Sequence, residues 1–284
     1  MSSTSQLLRK HSPMLAYNED WSFTDLRNEP YVISNKWDGQ RALCRGGQLI
    51  SRGSRQILNT HIRAMFERLE HNGFDGEIII PGCDGPTISG ICRSKNDERG
   101  KQAWWLVFDD ERAPGLPYGM RLAGLHDRIT HDFTNIRIQV TAQINYSDNP
   151  KIFEELEQEL ATYNMPFEGY MLRRLSSGYK HGRATLKESS LFKLTHDAYC
   201  EANILDMRPR TTIGGVVLQE VGALVCSSDQ FKARFSVGTG WTRAQGAHWW
   251  SSAKLLGQRI RIAYKACGSG DAPRQPRYAG GIVL

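Results

Sequence analysis

Three features of the sequence predict an α+β chain, with a mixed α/β domain over residues 1–198 and a small all-β barrel over residues 199–284. The first two-thirds mixes short apolar runs, bounded by Gly, Asp or Asn, with two stretches of helical periodicity. After about Thr195 the pattern turns to strands joined by Gly-rich turns. The charge changes at the same place. Residues 1–198 carry 25 Lys+Arg and 25 Asp+Glu, and residues 199–284 carry 11 and 5, so the whole net charge of +6 lies in the last third.

In chain order, strands are expected at Tyr31–Asn35, Arg41–Cys44, Gln48–Ser51, Glu77–Ile80, Trp104–Phe108, Arg137–Gln143, Gly169–Arg173 and Leu191–Lys193. Thr60 can cap a helix whose Ile62, Met65, Phe66 and Leu69 fall at i, i+3, i+4 and i+7. A second helix is expected from Asn149-Pro150, with Pro at the first helical position and Ile152, Phe153, Leu156 and Leu160 on one face. Five further strands follow, at Ala202–Met207, Gly215–Cys226, Phe231–Val237, Arg259–Ala266 and Arg277–Leu284, with a helical stretch near Ala244–Leu256. That count and length fit a Greek-key barrel of OB type, and an SH3-like barrel fits nearly as well.

Composition excludes a disordered, collagen-like, coiled-coil or disulfide-stapled chain. No apolar run approaches the roughly 18 residues that cross a bilayer, and the first residues have no apolar signal core. The six cysteines form no C-x-x-C pair, so reduced thiols, no zinc and a cytoplasmic location are expected. A basic module on a neutral body points to a polyanionic partner, because neutralising phosphates and releasing their counterions drives nucleic-acid affinity.

The chemistry concentrates in Lys36-Trp37-Asp38-Gly39-Gln40-Arg41. Asp-Gly reads as a tight turn, which leaves the lysine at the strand end unexplained. A lysine amine is a nucleophile only when neutral, and burial beside other cations is what exposes its lone pair. Phe74-Asp75-Gly76-Glu77 and Phe167-Glu168-Gly169-Tyr170 each read as an acidic-Gly turn running into a strand, and Lys193 is a charge inside the apolar Leu191–Leu194 run. Together these supply a nucleophilic amine, carboxylates for Mg²⁺ and cations around a phosphate. Phe108 adds an aromatic face for a base.

The ordered set KWDGQR, SRGSR, FDGEIII, WWLVFDD, FEGYMLRR and SLFKL resembles the collinear motifs of ATP-dependent DNA ligases, in the covalent nucleotidyltransferase superfamily. The small ligases of bacteriophages and other viruses are the nearest in pattern. The resemblance implies a nucleotidyltransferase (adenylation) domain over 1–198, an OB-fold domain over 199–284, and sealing of 5′-phosphate/3′-hydroxyl nicks through a lysyl-AMP and an adenylated DNA. It implies that Lys36 takes the AMP, with Ser34 and the backbone at Asn35 at the adenine edge, Phe108 stacked on the base, and Arg41 and Glu77 on the ribose. Lys193 would contact the α-phosphate, Lys187 would also serve the nucleotide, and Asp38, Glu77 and Glu168 would hold Mg²⁺, or Mn²⁺ in its place. Arg52, Arg55, Arg174 and Arg183 would contact the DNA, together with Arg274 and Arg277 of the barrel. The implied partner is nicked duplex DNA, met by a monomer in a bacterial or phage-infected cell, with no membrane and no obligate protein partner.

Three positions depart from the pattern. Thr195 stands where the family has a second lysine, Gln275 replaces an aromatic in Pro273–Tyr278, and no terminal Arg-x-Asp-Lys element is evident. Arg274 or Arg277 is expected to substitute in part for that element. Alternative readings are an RNA ligase or RNA-capping guanylyltransferase of the same superfamily, or a non-catalytic nucleic-acid-binding relative.

Overall fold

The short apolar runs of the first two-thirds become β1 (Met14–Leu15), β2 (Pro30–Trp37), β3 (Gln40–Arg45), β4 (Gln48–Ser51), β5 (Phe74–Ile79), β6 (Trp104–Asp110), β7 (Ile136–Ile138), β8 (Ala142–Asn145), β9 (Phe167–Arg174), β10 (Gly182–Arg183) and β11 (Leu191–Thr195). The computed structural model describes residues 12–17, 21–129, 135–138, 142–145, 151, 155, 158, 167–195, 197–252, 255–265 and 270–281. The chain divides into two units, Met1–Thr195 and His196–Leu284.

In the first unit one sheet has the order β4-β3-β5-β6-β7 and a second has β11-β9-β2-β8; β1 and β10 form a parallel pair. The expected strand over residues 137–143 is two strands, because β7 joins the first sheet beside β6 and β8 joins the second beside β2. Of the helix expected from Asn149 only Lys151, Glu155 and Gln158 are among the described residues, and Glu155 N–H donates to the Lys151 carbonyl at 3.0 Å.

Three helices pack on the first sheet's core: α1 (Thr60–Phe66), α2 (Gly85–Arg93) and α3 (Tyr118–Arg128). Asn59, and not Thr60, caps α1. Its side-chain oxygen accepts from the N–H groups of His61 and Ile62, and its amide donates to the carbonyls of Ile91, Ser94 and Asp97. The deeper acceptor wins because it also satisfies the end of α2. The core of this sheet gathers Leu49, Ile62, Phe66, Phe74, Ile78, Ile88, Ile91 and Trp105.

The second sheet separates its two faces by strand alternation. Tyr31, Ile33, Tyr170, Leu172 and Phe192 point to one side and form an aromatic-rich core. Ser34 and Lys36 of β2 point to the other. Two ties link this sheet region to the first sheet: Arg173 of β9 pairs with Asp109 of β6, and Tyr179 Oη donates to Asp75 of β5 at 2.7 Å. Arg121 of α3 meets the same Asp109 at 2.8 Å, with both side chains almost fully buried.

The second unit is an antiparallel sheet in the order β14-β13-β12-β15-β16, formed by β12 (Ala198–Thr211), β13 (Val217–Ser228), β14 (Phe231–Val237), β15 (Arg259–Lys265) and β16 (Arg274–Tyr278). β12 begins four residues before the expected strand, and β16 ends at Tyr278. Helix α4 (Arg243–Trp250) starts with a capping box in which Thr242 and Gln245 exchange hydrogen bonds. Its Trp249 packs against Trp241 and Tyr278, with ring centres 5.5 and 5.2 Å away. The sheet's two edges approach where Ala233 N–H donates to Asp271 O and Tyr278 N–H to Thr239 O. Among the described residues no ladder closes β14 on β16, so the expected barrel is present as a five-stranded sheet. No helix among the described residues is long and apolar enough to cross a membrane.

Candidate active site

Lys36 is the next-to-last residue of β2 and sits opposite Gly169 of β9, which in turn sits opposite Thr195 of β11. Opposite residues of neighbouring strands point to one face. Ser34, Met171 and Lys193 form the next row, so Lys193 shares the face of Lys36. Gly169 is required here: a Cβ would lie 2.1 Å from the Leu194 carbonyl, and its φ of 152° is one that side chains rarely adopt.

Glu168 is not in a turn. The ladder pairs Lys36 with Gly169 and Trp37 with Phe167, leaving Glu168 as the extra residue of a β-bulge. Bulges re-aim a side chain, and this one brings the Glu168 carboxylate into an ion pair with Lys36 Nζ. The Lys36 side chain is 29% exposed and that of Glu168 10%, so the amine faces open space with a carboxylate at its back.

Phe108 arises in the same way. Asp75 pairs with Asp109 and Gly76 with Val107, and Phe108 is the extra residue between them. Its ring lies 5.1 Å from the Arg41 guanidinium and 5.4 Å from that of Arg173, a cation–π arrangement on a ring expected to meet a base. Arg41 is also held by Asp75 through two hydrogen bonds of 2.8 and 2.6 Å. Asp75 thus lies within β5 as the anchor of Arg41, and not in the turn expected of it.

Arg41 and Glu77 are opposite residues of β3 and β5. Burial pushes the Glu77 carboxyl up to about 7, against the opposing pull of the Arg41 and Lys36 cations; the Asp75 and Asp38 charges add to the rise. Asp38 accepts a hydrogen bond from Gly85 N–H at the start of α2, 3.0 Å away. A Cβ on Gly85 would lie 2.2 Å from that carboxylate. Gly39 keeps φ negative, and its requirement is proximity: a Cβ would lie 2.3 Å from the Ile78 carbonyl.

The structure therefore brings together Lys36, Glu168, Asp38, Glu77, Arg41 and Phe108, with Ser34 and Lys193 on the adjoining face and the Asn35 backbone in β2 between Ser34 and Lys36. Other expected residues lie elsewhere. Arg52 and Arg55 are exposed in the turn after β4, with no ion pair among the described residues. Arg183 is exposed and donates to the Ala16 carbonyl. Arg174 pairs with Glu29 at the far end of β9, and Lys187 lines a cavity beside it. Arg274 and Arg277 stand on β16, where Arg277 pairs with Asp197. Sequence reasoning passed over Asp75, Asp109 and Arg173 as supports; Asp75 lies diagonally from Arg41 across β3 and β5, a relation that chain order does not mark.

Among the described residues no three metal-ligating side chains converge. Glu168 and Asp38 suit an ion that arrives on nucleotide phosphates and takes one or two carboxylates from the protein, as Mg²⁺ commonly does.

Residues 214–280 match the DNA ligase OB-like domain family. No curated protein sequence is similar to the chain at a significant level. The adenylated DNA ligase of Chlorella virus is 25% identical, with 95% of this chain aligned to 98% of that one at a TM-score of 0.56. A Lig E DNA ligase is 21% identical over 93% of this chain and 97% of its own, at a TM-score of 0.74. The ATP-dependent DNA ligase of bacteriophage T7, solved with ATP, is 15% identical over 95% and 98%, at a TM-score of 0.50, and shares the fold. Residues 214–280 thus match a ligase-type OB domain that follows a lysine-bearing two-sheet unit, and the chain as a whole shares the fold of small ATP-dependent DNA ligases.

Proposed function

We propose that the chain seals nicks in duplex DNA through a covalent lysyl-AMP on Lys36. The observation that carries this reading is the Lys36–Glu168 ion pair on adjacent strands, with Asp38, Glu77 and Arg41 around it.

In the first step Lys36 Nζ gives up a proton to solvent, leaves Glu168 and attacks the α-phosphorus of ATP; the N–P bond forms as the bond to pyrophosphate breaks. Glu77 and Arg41 hold the ribose, Phe108 stacks on the adenine, and Ser34 with the Asn35 backbone meets the base edge. Lys193 stabilises charge on the α-phosphate as it develops. Glu168 and Asp38 would hold a divalent ion, Mg²⁺ or Mn²⁺, which would supply neutralisation of phosphate charge. The DNA 5′-phosphate then displaces Lys36 from the AMP, and the 3′-hydroxyl displaces AMP to join the strand. Arg52, Arg55 and Arg183, exposed and basic, serve the DNA, and the last third supplies the net positive charge that the first 198 residues lack.

Incubation with α-labelled ATP and Mg²⁺ tests the reading. An acid-labile label appears on the wild type and is absent from Lys36→Ala. Joining of a nicked duplex by Lys36→Ala at the wild-type rate would refute it.

A further inference from the structure

The bulge that takes Phe108 out of register leaves the aim of its ring to be set from outside β5. Asp75 and Gly76 of β5 pair with Asp109 and Val107, so no residue of β5 stands opposite Phe108. A bulge residue directs its side chain through its own backbone angles. Those angles are only as fixed as the peptide groups on either side, and a backbone carbonyl at such a place needs its own donor.

The donor comes from α3. Tyr118 is the first residue of that helix and almost fully buried, and its Oη donates to the Phe108 carbonyl at 3.0 Å. Burial pushes the phenol well above its ordinary range, so the hydroxyl keeps its proton and stays a donor. The helix is braced at this end. Gly119 N–H donates to the Leu175 carbonyl at 3.0 Å. Arg121, about one turn on, pairs with Asp109 at 2.8 Å and donates to the Ser177 carbonyl at 3.0 Å.

The ring of Tyr118 has a separate task. The Arg173 guanidinium lies 4.8 Å from its centre and 5.4 Å from that of Phe108. Asp109, the residue after Phe108, takes the charge of both Arg173 and Arg121. These pairs hold the strand beside Phe108, whereas Tyr118 holds the peptide of Phe108 itself. A phenylalanine at 118 would fill the same space and keep a face for the arginines. What the hydroxyl adds is direction.

We infer that Tyr118 is a positioning residue for the base: its hydroxyl fixes the Phe108 peptide and thereby the plane that the Phe108 ring offers to adenine. This role rests on the reading that Phe108 stacks on the base of ATP. Tyr118 itself meets neither the nucleotide nor the reacting atoms, so its mark is selective. Loss of the hydroxyl weakens the grip on the base and spares the grip on the phosphates.

Equilibrium titrations of the full chain with α,β-methylene-ATP, which cannot give up its pyrophosphate, and with inorganic tripolyphosphate separate the two grips. Tyr118→Phe should weaken the analogue about fivefold and leave tripolyphosphate within about twofold, on the scale of what one base stacked on an aromatic ring contributes. In a Phe108→Ala background the same change should alter neither affinity. In ATP-dependent labelling Tyr118→Phe should raise KM more than it lowers kcat. Neither a dissociation constant nor KM depends on the fraction of chain folded, so a less stable variant still answers. Equal losses for the two ligands, an unchanged affinity for the analogue, or a loss that survives in the Phe108→Ala background each overturn the inference. A wild type that binds the analogue yet takes no label from ATP fails the ligase reading alone. One that binds the analogue no better than tripolyphosphate fails the base-stacking reading, and the role of Tyr118 falls with it.

Discussion

The carboxylate of Glu168 meets the Lys36 amine where the register between β2 and β9 slips by one residue. The slip turns a residue that would otherwise belong to the ladder into a partner for the nucleophile.

Replacing Glu168 by Gln keeps the bulge and removes the charge. Self-adenylation with ATP should fall by 10²-fold or more, with the melting temperature within a few degrees of wild type. Single-turnover labelling with α-labelled ATP, alongside a thermal melt, measures both. An equal fall in both would mean that the pair is structural.

Glu77 gives a pH dependence with a defined sign. Its folded carboxyl titrates at about 7 against an ordinary value of 4.5, because of burial. Between those values the folded chain holds more proton than the unfolded one, so its contribution to stability is full below 4.5 and is lost as pH rises through about 7. Glu77→Gln should therefore match wild type in urea denaturation near pH 4.5 and become relatively more stable by pH 8. A stability difference that is flat with pH contradicts the assignment.

Gly39→Ala places a methyl 2.3 Å from the Ile78 carbonyl, an atom of β5 backbone that cannot turn aside. β3 and β5 must part, at a cost of about 1–3 kcal/mol. Because Asp38 and Arg41 flank the position, ATP-dependent labelling should fall more than stability alone accounts for. The check is labelling at a temperature where the variant is still folded by circular dichroism.

Asp109 is fully buried and serves both Arg121 and Arg173. Asp109→Ala leaves two buried guanidiniums without a counter-charge, and breaking such a pair costs about 3–5 kcal/mol. A lowered urea midpoint with unchanged slope is expected. Since Arg173 also faces the Phe108 ring, KM for ATP should rise in whatever fraction remains folded.

Much of this site was legible because its strands are short apolar runs ended by turn residues. Tyr31–Asn35, Gln48–Ser51 and Leu191–Lys193 lie within or coincide with observed strands, which puts Lys36 and Lys193 on the two strands that flank β9. The roles of Glu168 and Phe108 were not legible as geometry, since a one-residue bulge leaves no mark in composition. Helices α2 and α3 escaped notice because Gly85, Gly90, Gly119 and Gly124 dilute their helical pattern. Gly85 has its own reason, the Asp38 carboxylate pressed against it. Lys187 followed a motif in order along the chain, but order does not say at which end of a strand a residue falls.

The segment from Lys36 to Arg41 is also where the chain crosses from one sheet to the other, since β2 and β3 belong to different sheets. The amine and the guanidinium are thus the two jaws of a caliper hinged at Asp38-Gly39. Its setting is fixed by two screws behind the cleft: Arg173 on Asp109 and Tyr179 on Asp75. Loosening either screw would widen the jaws through the residues that back Phe108 and Arg41, so their spacing can drift through substitutions at Asp109 or Tyr179.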